Sequence, residues 1–422
     1  MDHVRGLQCT VCGREYGVGE VDYVCPLHGD DGILDVLYDY DRIRARTSPQ
    51  EITASRVATM WRYRALLPVA ADAPVPPLRV GWTPLYAAPR LARIHGLSDL
   101  WVKDDGMNPT ASFKDRASAL AVVKAQEAGA TTITTASTGN AAAALAGLAA
   151  SVGLQAVIFV PRNAPQAKIA QHLIYGARVF LVDGTYDDAF ELTLQVARAY
   201  GWYNRNTAYN PYMTEGKKTA AYEICEQLGW RVPDVVFVPV GDGCILGGIH
   251  KGFKDLLALG WIDRLPRLMG VQAEGSASLA SAFSRGLTWD QIRPIAAETV
   301  ADSICASLPR DRIKALAAVR ETGGRFLVVT DSEILDAIPV LARQTGIFCE
   351  PAAAAAYAGL AKAVAEGWVD ARERIVLLLT GSGLKDVASA MKTVAPAPVI
   401  PANLAAACEA IEALVLRGPR SV

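Results

Sequence analysis

Residues 108–116 read Asn-Pro-Thr-Ala-Ser-Phe-Lys-Asp-Arg, a polar loop that runs into one lysine and then a helix. Asn108 and Pro109 break whatever precedes them. Ser112 and Asp115 stand at capping-box spacing, with Asp in place of Glu, and predict a helix start around Lys114. The unsatisfied N–H groups and the dipole at such a start disfavour a cation. A lysine there is pushed toward its neutral, nucleophilic form, the form that Schiff-base chemistry requires. The plain alternative is a surface lysine, but first helical turns usually select acids.

Downstream of Asp115, helical and strand patterns alternate, the signature of a parallel sheet. Helices are expected at about 115–128, 141–152, 166–175 and 186–200. Strands are expected at 131–136, 156–160, 178–182 and 202–206. The alternation resumes with strands at 234–240, 268–273, 325–329 and 374–379. Upstream, residues 39–77 predict one or two surface helices and an extended arm, and a strand at 100–103 delivers Asp104, Asp105 and the lysine loop. The expected fold class is α/β, with two doubly wound open-sheet domains and a small N-terminal zinc-ribbon-like segment. The expected division is 1–45 for the ribbon, 46–113 with 208–422 for a large domain, and 114–207 for a small one. At 422 residues the chain is long enough for this.

Three strand ends carry further candidates. Ser137-Thr-Gly-Asn140 lies between a strand and a helix, where open α/β sheets bind ligands. Ser137 and Thr138, with helix N–H groups, suit a carboxylate, and Asn140 can both donate and accept. Ordinary N-capping uses the same residues. Gly241-Asp-Gly-Cys-Ile245, extended by Gly247 and Gly248, is a glycine turn before a helix. It reads as a phosphate cradle or as a close-packed turn, and Asp242 fits phosphate only if its side chain points away. It matches neither a dinucleotide fingerprint nor a P-loop. Thr380, in Thr-Gly-Ser-Gly383, offers a hydroxyl to a ring nitrogen or caps a following helix.

At the N-terminus, Cys9-Thr-Val-Cys12 and Cys25-Pro-Leu-His28 supply three thiolates and an imidazole, a set suited to tetrahedral Zn²⁺. The four ligands leave no open position, so a structural metal is expected. A nucleic-acid ribbon is the rival, but no basic patch accompanies it. The formal net charge of −1 argues against nucleic-acid and membrane-surface partners. The sequence carries no membrane-spanning apolar run and no secretory leader is read at Met1. Eight cysteines without such a leader point to reduced thiols and a cytoplasmic location. A homodimer is expected, and an amphipathic final helix at 403–417 is expected to pack on the surface or on the partner.

An amine, an amide, an anion cradle and a hydroxyl at four strand ends match the aldehyde, phenolic oxygen, phosphate and pyridine nitrogen of pyridoxal 5′-phosphate (PLP). The stretch Gly-Met-Asn-Pro-Thr-Ala-Ser-Phe-Lys-Asp-Arg (106–116) resembles the cofactor-lysine motif of the threonine synthase branch of fold-type II PLP enzymes. The resemblance spans about 78–392. It implies that Lys114 bonds the cofactor aldehyde and later moves protons, and that Phe113 lies beside the ring. It implies that Asn140 meets the ring oxygen, and that Ser137 and Thr138 hold the substrate carboxylate. Gly241, Asp242, Gly243, Cys244 and Ile245 would hold the phosphate, and Thr380 the pyridine nitrogen. The implied activity is a lyase acting on a small amino acid, O-phospho-L-homoserine plus water giving L-threonine and phosphate. The alternative is a serine/threonine ammonia-lyase or another β-replacement enzyme. Three positions depart from the pattern: Met213 replaces a basic residue, Ile245 an asparagine and Ala141 a threonine. From other classes, a nicotinamide-dependent reductase would use the Gly241 turn but leaves Lys114 without a role.

Overall fold

The computed structural model describes residues 1–162, 164 and 166–416. Near the N-terminus β1 (Val4–Cys9), β2 (Glu15–Tyr16) and β3 (Leu34–Tyr38) form an antiparallel sheet in the order β2-β1-β3. β4 (Leu85–Ala87) and β5 (Asp99–Asp104) begin a larger sheet. β6 (Thr132–Ala136), β7 (Gln155–Pro161), β8 (Arg178–Val182) and β9 (Tyr203–Asn204) form a parallel sheet in the order β8-β7-β6-β9. β10 (Val235–Pro239), β11 (Arg267–Ala273), β12 (Arg325–Val329) and β13 (Arg374–Leu379) complete the larger one. Its order is β12-β11-β10-β13-β5-β4, parallel except for β4.

Continuous apolar strands are what a sheet covered on both faces requires. Along β10 and β13 alternate side chains enter different cores. Val236, Val238, Val376 and Leu378 face one, and Val235, Phe237, Ile375 and Leu377 face the other. The helices Thr219–Gln227 and Cys244–Ala258 supply the first core, and Pro351–Ala365 the second. Ala352 to Ala356 are all fully buried. Their small side chains let that helix lie close on the strands, and a Cβ added at Gly359 would collide with Val271.

The ribbon packs against the larger sheet. Leu7, Leu34, Val36 and Tyr38 join the core of the larger sheet. The Tyr38 hydroxyl donates to Glu215 at 2.6 Å, and Lys314 pairs with Asp35 at 2.7 Å. The connector forms the helices Tyr40–Arg44 and Pro49–Ala54 and then a buried 3-10 turn, Met60–Leu66, in place of part of the expected arm. Two further expectations need adjustment. The turn after Thr380 is a 3-10 turn, Gly383–Lys385, followed by a short helix, Val387–Met391. The last helix is Leu404–Ile411 with a π turn to Leu416, and Arg417 lies outside the described residues. No side chain of Leu404–Ile411 is buried.

Candidate active site

Helix Lys114–Glu127 begins at the lysine, but not through the expected capping box. Phe113 is the N-cap with helical φ/ψ, and no side chain caps the helix. The Ser112 hydroxyl is buried without a hydrogen-bond partner. The Asp115 carboxylate instead accepts from the Thr110 amide at 2.7 Å and from the Thr110 hydroxyl, folding the loop back on itself. Ala111 takes φ +64°, a left-handed conformation costly for alanine, which the neighbouring hydrogen bonds over-determine.

Those bonds tie three loops together at the carboxyl ends of β5 and β13. The Phe113 amide donates to the Thr380 carbonyl at 2.8 Å, and Ser382 donates to the Ala111 carbonyl at 3.1 Å. The Glu350 amide donates to the Gly381 carbonyl at 3.0 Å, and the Gly383 amide to that of Phe348 at 3.0 Å. A second anchor lies two residues past the lysine. The fully buried Arg116 guanidinium bonds Asp105 at 2.6 and 2.9 Å and Glu223 at 2.5 and 2.8 Å. Glu223 also accepts from Lys103 at 2.6 Å and from the Trp82 amide at 2.7 Å. Asp104, the other acid of that strand end, only accepts from the Gly106 amide, and burial raises its carboxyl to about 6.

Lys114, Ser137, Thr138, Asn140 and Asp242 line one cavity of about 280 Å³. Burial lowers the Lys114 amine below the ordinary lysine range, toward the neutral form. It has no hydrogen-bond partner among the described residues. Helix Asn140–Ser151 also lacks a side-chain cap, and the Ser137 hydroxyl accepts only from the Gly139 amide, at 3.3 Å. Ordinary N-capping is therefore not what Ser137 and Thr138 do. The Asn140 amide donates to Glu350 at 2.9 and 3.0 Å. Burial pushes the Glu350 carboxyl up, and the Asn140 bond opposes that. Phe113 is fully buried, and Thr380 sits at the end of β13, also buried.

The Gly241 turn is close-packed. Gly243 is the N-cap of Cys244–Ala258 at φ +90°, and again no side chain caps the helix. A Cβ at Gly241 would lie 2.8 Å from Ile304 Cα, and one at Gly243 would lie 2.6 Å from Ala315 Cβ. The glycines are thus needed for packing, and the turn also leaves amides free of side-chain caps. Asp242 accepts from the Arg310 amide at 3.2 Å, and burial raises its carboxyl. Cys244 and Ile245 are buried in the first helical turn.

Three groups escaped the sequence reading: Arg205, Lys217 and Glu350. Arg205 and Lys217 are buried cations, held down by burial to about 10 and about 8. Arg205 lines the Lys114 cavity, and Lys217 donates to Thr207 Oγ1 at 2.6 Å. Arg205 follows β9, and Lys217 ends the helix Tyr212–Lys217. Met213 is buried in the core beneath the smaller sheet.

The ligand atoms of Cys9, Cys12, Cys25 and His28 all lie within 4.8 Å of one another. Cys25 Sγ and Cys9 Sγ stand 3.5 and 3.9 Å from His28 Nδ1. An ion with Zn–S bonds of about 2.3 Å spans such edges. The four residues fit a tetrahedral metal.

A family model described as pyridoxal-phosphate dependent enzyme matches residues 77–381. The threonine synthase of Methanocaldococcus jannaschii is 41% identical over 386 residues, covering 91% of this chain and 94% of that protein. That of Methanosarcina acetivorans is 42% identical over 407 residues, covering 96% and 98%. Among solved structures, diaminopropionate ammonia lyase from Escherichia coli aligns with TM-score 0.65 at 21% identity, covering 83% of this chain and 94% of that one. Threonine deaminase isoform 2 from Solanum lycopersicum aligns with TM-score 0.63 at 22% identity, covering 84% and 89%. At those identities the structures speak for the fold alone.

Proposed function

Because the chain belongs to the pyridoxal-phosphate dependent enzyme family, we propose that it converts O-phospho-L-homoserine and water to L-threonine and inorganic phosphate. The observation that carries this reading is the Lys114 amine, held toward neutrality at the head of an uncapped helix in a cavity shared with Ser137, Thr138 and Asn140.

The residues present fit PLP. Lys114 would bond its aldehyde, and the uncapped amides of 241–245 would cradle its phosphate. Asn140 would meet the ring oxygen, and the Thr380 hydroxyl the pyridine nitrogen. When bound, PLP supplies an electron sink for the substrate α-carbon, and a hydroxyl partner leaves its nitrogen less protonated than a carboxylate would. The chain does the rest. Ser137, Thr138 and the first amides of Asn140–Ser151 hold the substrate carboxylate. Lys114, neutral once released, takes and returns protons at the carbons beside it. Burial of Phe113 and Thr380 keeps water from one side of the site.

The same reading places a structural Zn²⁺ on Cys9, Cys12, Cys25 and His28, supported by their spacing. It treats 1–45, 46–113 with 208–422, and 114–207 as the domains. It has the chain work in the cytoplasm as a homodimer, supported by eight free thiols and the exposed last helix. Among the described residues no helix is long and apolar enough to cross a membrane. A second reading, deamination of serine or threonine, is favoured by a departure from the pattern that the resemblance implies: apolar Met213 and Ile245 stand where that pattern has a basic residue and an asparagine. Purified cofactor-loaded protein decides between them. Phosphate and threonine released from O-phospho-L-homoserine support the first reading; keto acid from threonine without phosphate release sinks it.

A further inference from the structure

The end of β9 carries a cation that no carboxylate answers. Arg205 is 1% exposed and makes no ion pair among the described residues. Its Nε donates to Ser118 Oγ at 3.1 Å, while Nη2 is buried without a hydrogen-bond partner. The side chain borders the same cavity as Lys114. Lys217 lies within Coulombic range of both and is likewise without an ion pair, its Nζ resting on Thr207, which also lines the cavity.

The acids nearby are engaged or suppressed. Asp242 faces the Arg310 amide, and Asp115 is taken by Thr110. Burial raises Asp311 as well. A desolvated guanidinium with a spare N–H is costly unless an anion completes it. Its planar fork matches a phosphate with two parallel bonds.

We propose that Arg205, backed by Lys217, binds a phosphate monoester in the Lys114 cavity, and that this phosphate belongs to the amino-acid substrate. The inference rests on the reading of Lys114 as the cofactor lysine. Two positions favour substrate over cofactor as the source. The cofactor phosphate has its own cradle on the larger sheet, at 241–245. Arg205 follows β9, whose neighbour β6 leads into Ser137 and Thr138. One molecule carrying both a carboxylate and a phosphate is thereby held by two adjacent strand ends of the smaller sheet.

The test compares cofactor-loaded wild type with Arg205→Lys and Arg205→Met. In Arg205→Met the KM for O-phospho-L-homoserine rises roughly 10- to 100-fold, the loss of one charge-assisted contact. Arg205→Lys recovers part of it. Binding of unphosphorylated L-threonine, followed in the cofactor's visible band, is unchanged, and so is cofactor content. Inorganic phosphate competes with substrate in wild type and loses that ability in Arg205→Met. Equal losses for the phosphorylated and unphosphorylated amino acids overturn the proposal. Loss of cofactor with an unchanged substrate KM assigns the guanidinium to the cofactor phosphate and also overturns it. Should Arg205→Met not accumulate, wild type and Arg205→Lys decide, because no competition by phosphate in wild type is a refutation. Failure of the Lys114 reading shows separately, as a missing pyridoxyl adduct on that lysine after borohydride reduction.

Discussion

Replacing Glu223 with glutamine keeps the shape of the side chain and removes its charge. The carboxylate is fully buried and is shared by Arg116, Lys103 and the Trp82 amide, all within 2.8 Å. Glu223→Gln leaves two buried cations with only Asp105 between them. Breaking a buried pair from one side costs about 3–5 kcal/mol. At ~2.1 cal/mol/K per residue, a 422-residue chain has an unfolding entropy near 0.9 kcal/mol/K. The expected fall in melting midpoint is therefore roughly 3–6 °C. Replacing Glu223, Lys103, Arg116 and Asp105 together by apolar residues of similar volume, so that no buried charge is left unpaired, recovers most of the loss. The pH profile carries the same signature. Burial alone would raise the Glu223 carboxyl, but Arg116 and Lys103 outweigh it and hold it at about 2. A depressed carboxyl stabilises the fold above its unfolded value, about 4.5, and that contribution is lost as pH falls toward 2. Calorimetry from pH 7 to pH 3 should show the wild-type midpoint falling faster than that of Glu223→Gln. Parallel profiles, or a midpoint shift below about 1 °C at pH 7, refute the reasoning.

Lys114→Ala should lose the borohydride-trapped pyridoxyl adduct and at least about 10³-fold in kcat, read by phosphate release. Gly243→Ala forces a Cβ against Ala315 at a φ of +90°. It should cost roughly 1–3 kcal/mol and weaken cofactor retention on gel filtration, whereas Gly260→Ala, with open space around its Cβ, should leave retention intact. Cys25→Ser should drop bound zinc from one equivalent per chain to near none by atomic emission. It should also expose the ribbon to proteolysis, because metal binding there is folding energy.

Much of the fold was legible because parallel strands buried on both faces are written as unbroken apolar runs. The strand Arg374–Leu379, buried beyond its first residue, stands at its expected bounds, and so do Arg325–Val329, the largely exposed edge strand Arg178–Val182 and the helix Tyr186–Tyr200. The Ser112–Asp115 spacing misled because Thr110, five residues back, competed for the same carboxylate and won. Arg205, Lys217 and Glu350 were illegible for a different reason. Their meaning comes from partners far away in the chain, such as Asn140 and Glu350, separated by 210 positions. The ribbon's dependence on the larger sheet was hidden likewise, since Tyr38 meets Glu215 only in three dimensions.

The loops bearing Lys114, Thr380 and Glu350 are stitched to one another through main-chain amides and carbonyls. Main-chain stitching is indifferent to which side chains hang from it. Residues facing the substrate's far end can therefore be exchanged over evolutionary time while the spacing between amine and hydroxyl stays constant. Such a scaffold separates inheritance of the reaction from inheritance of the molecule it is performed on.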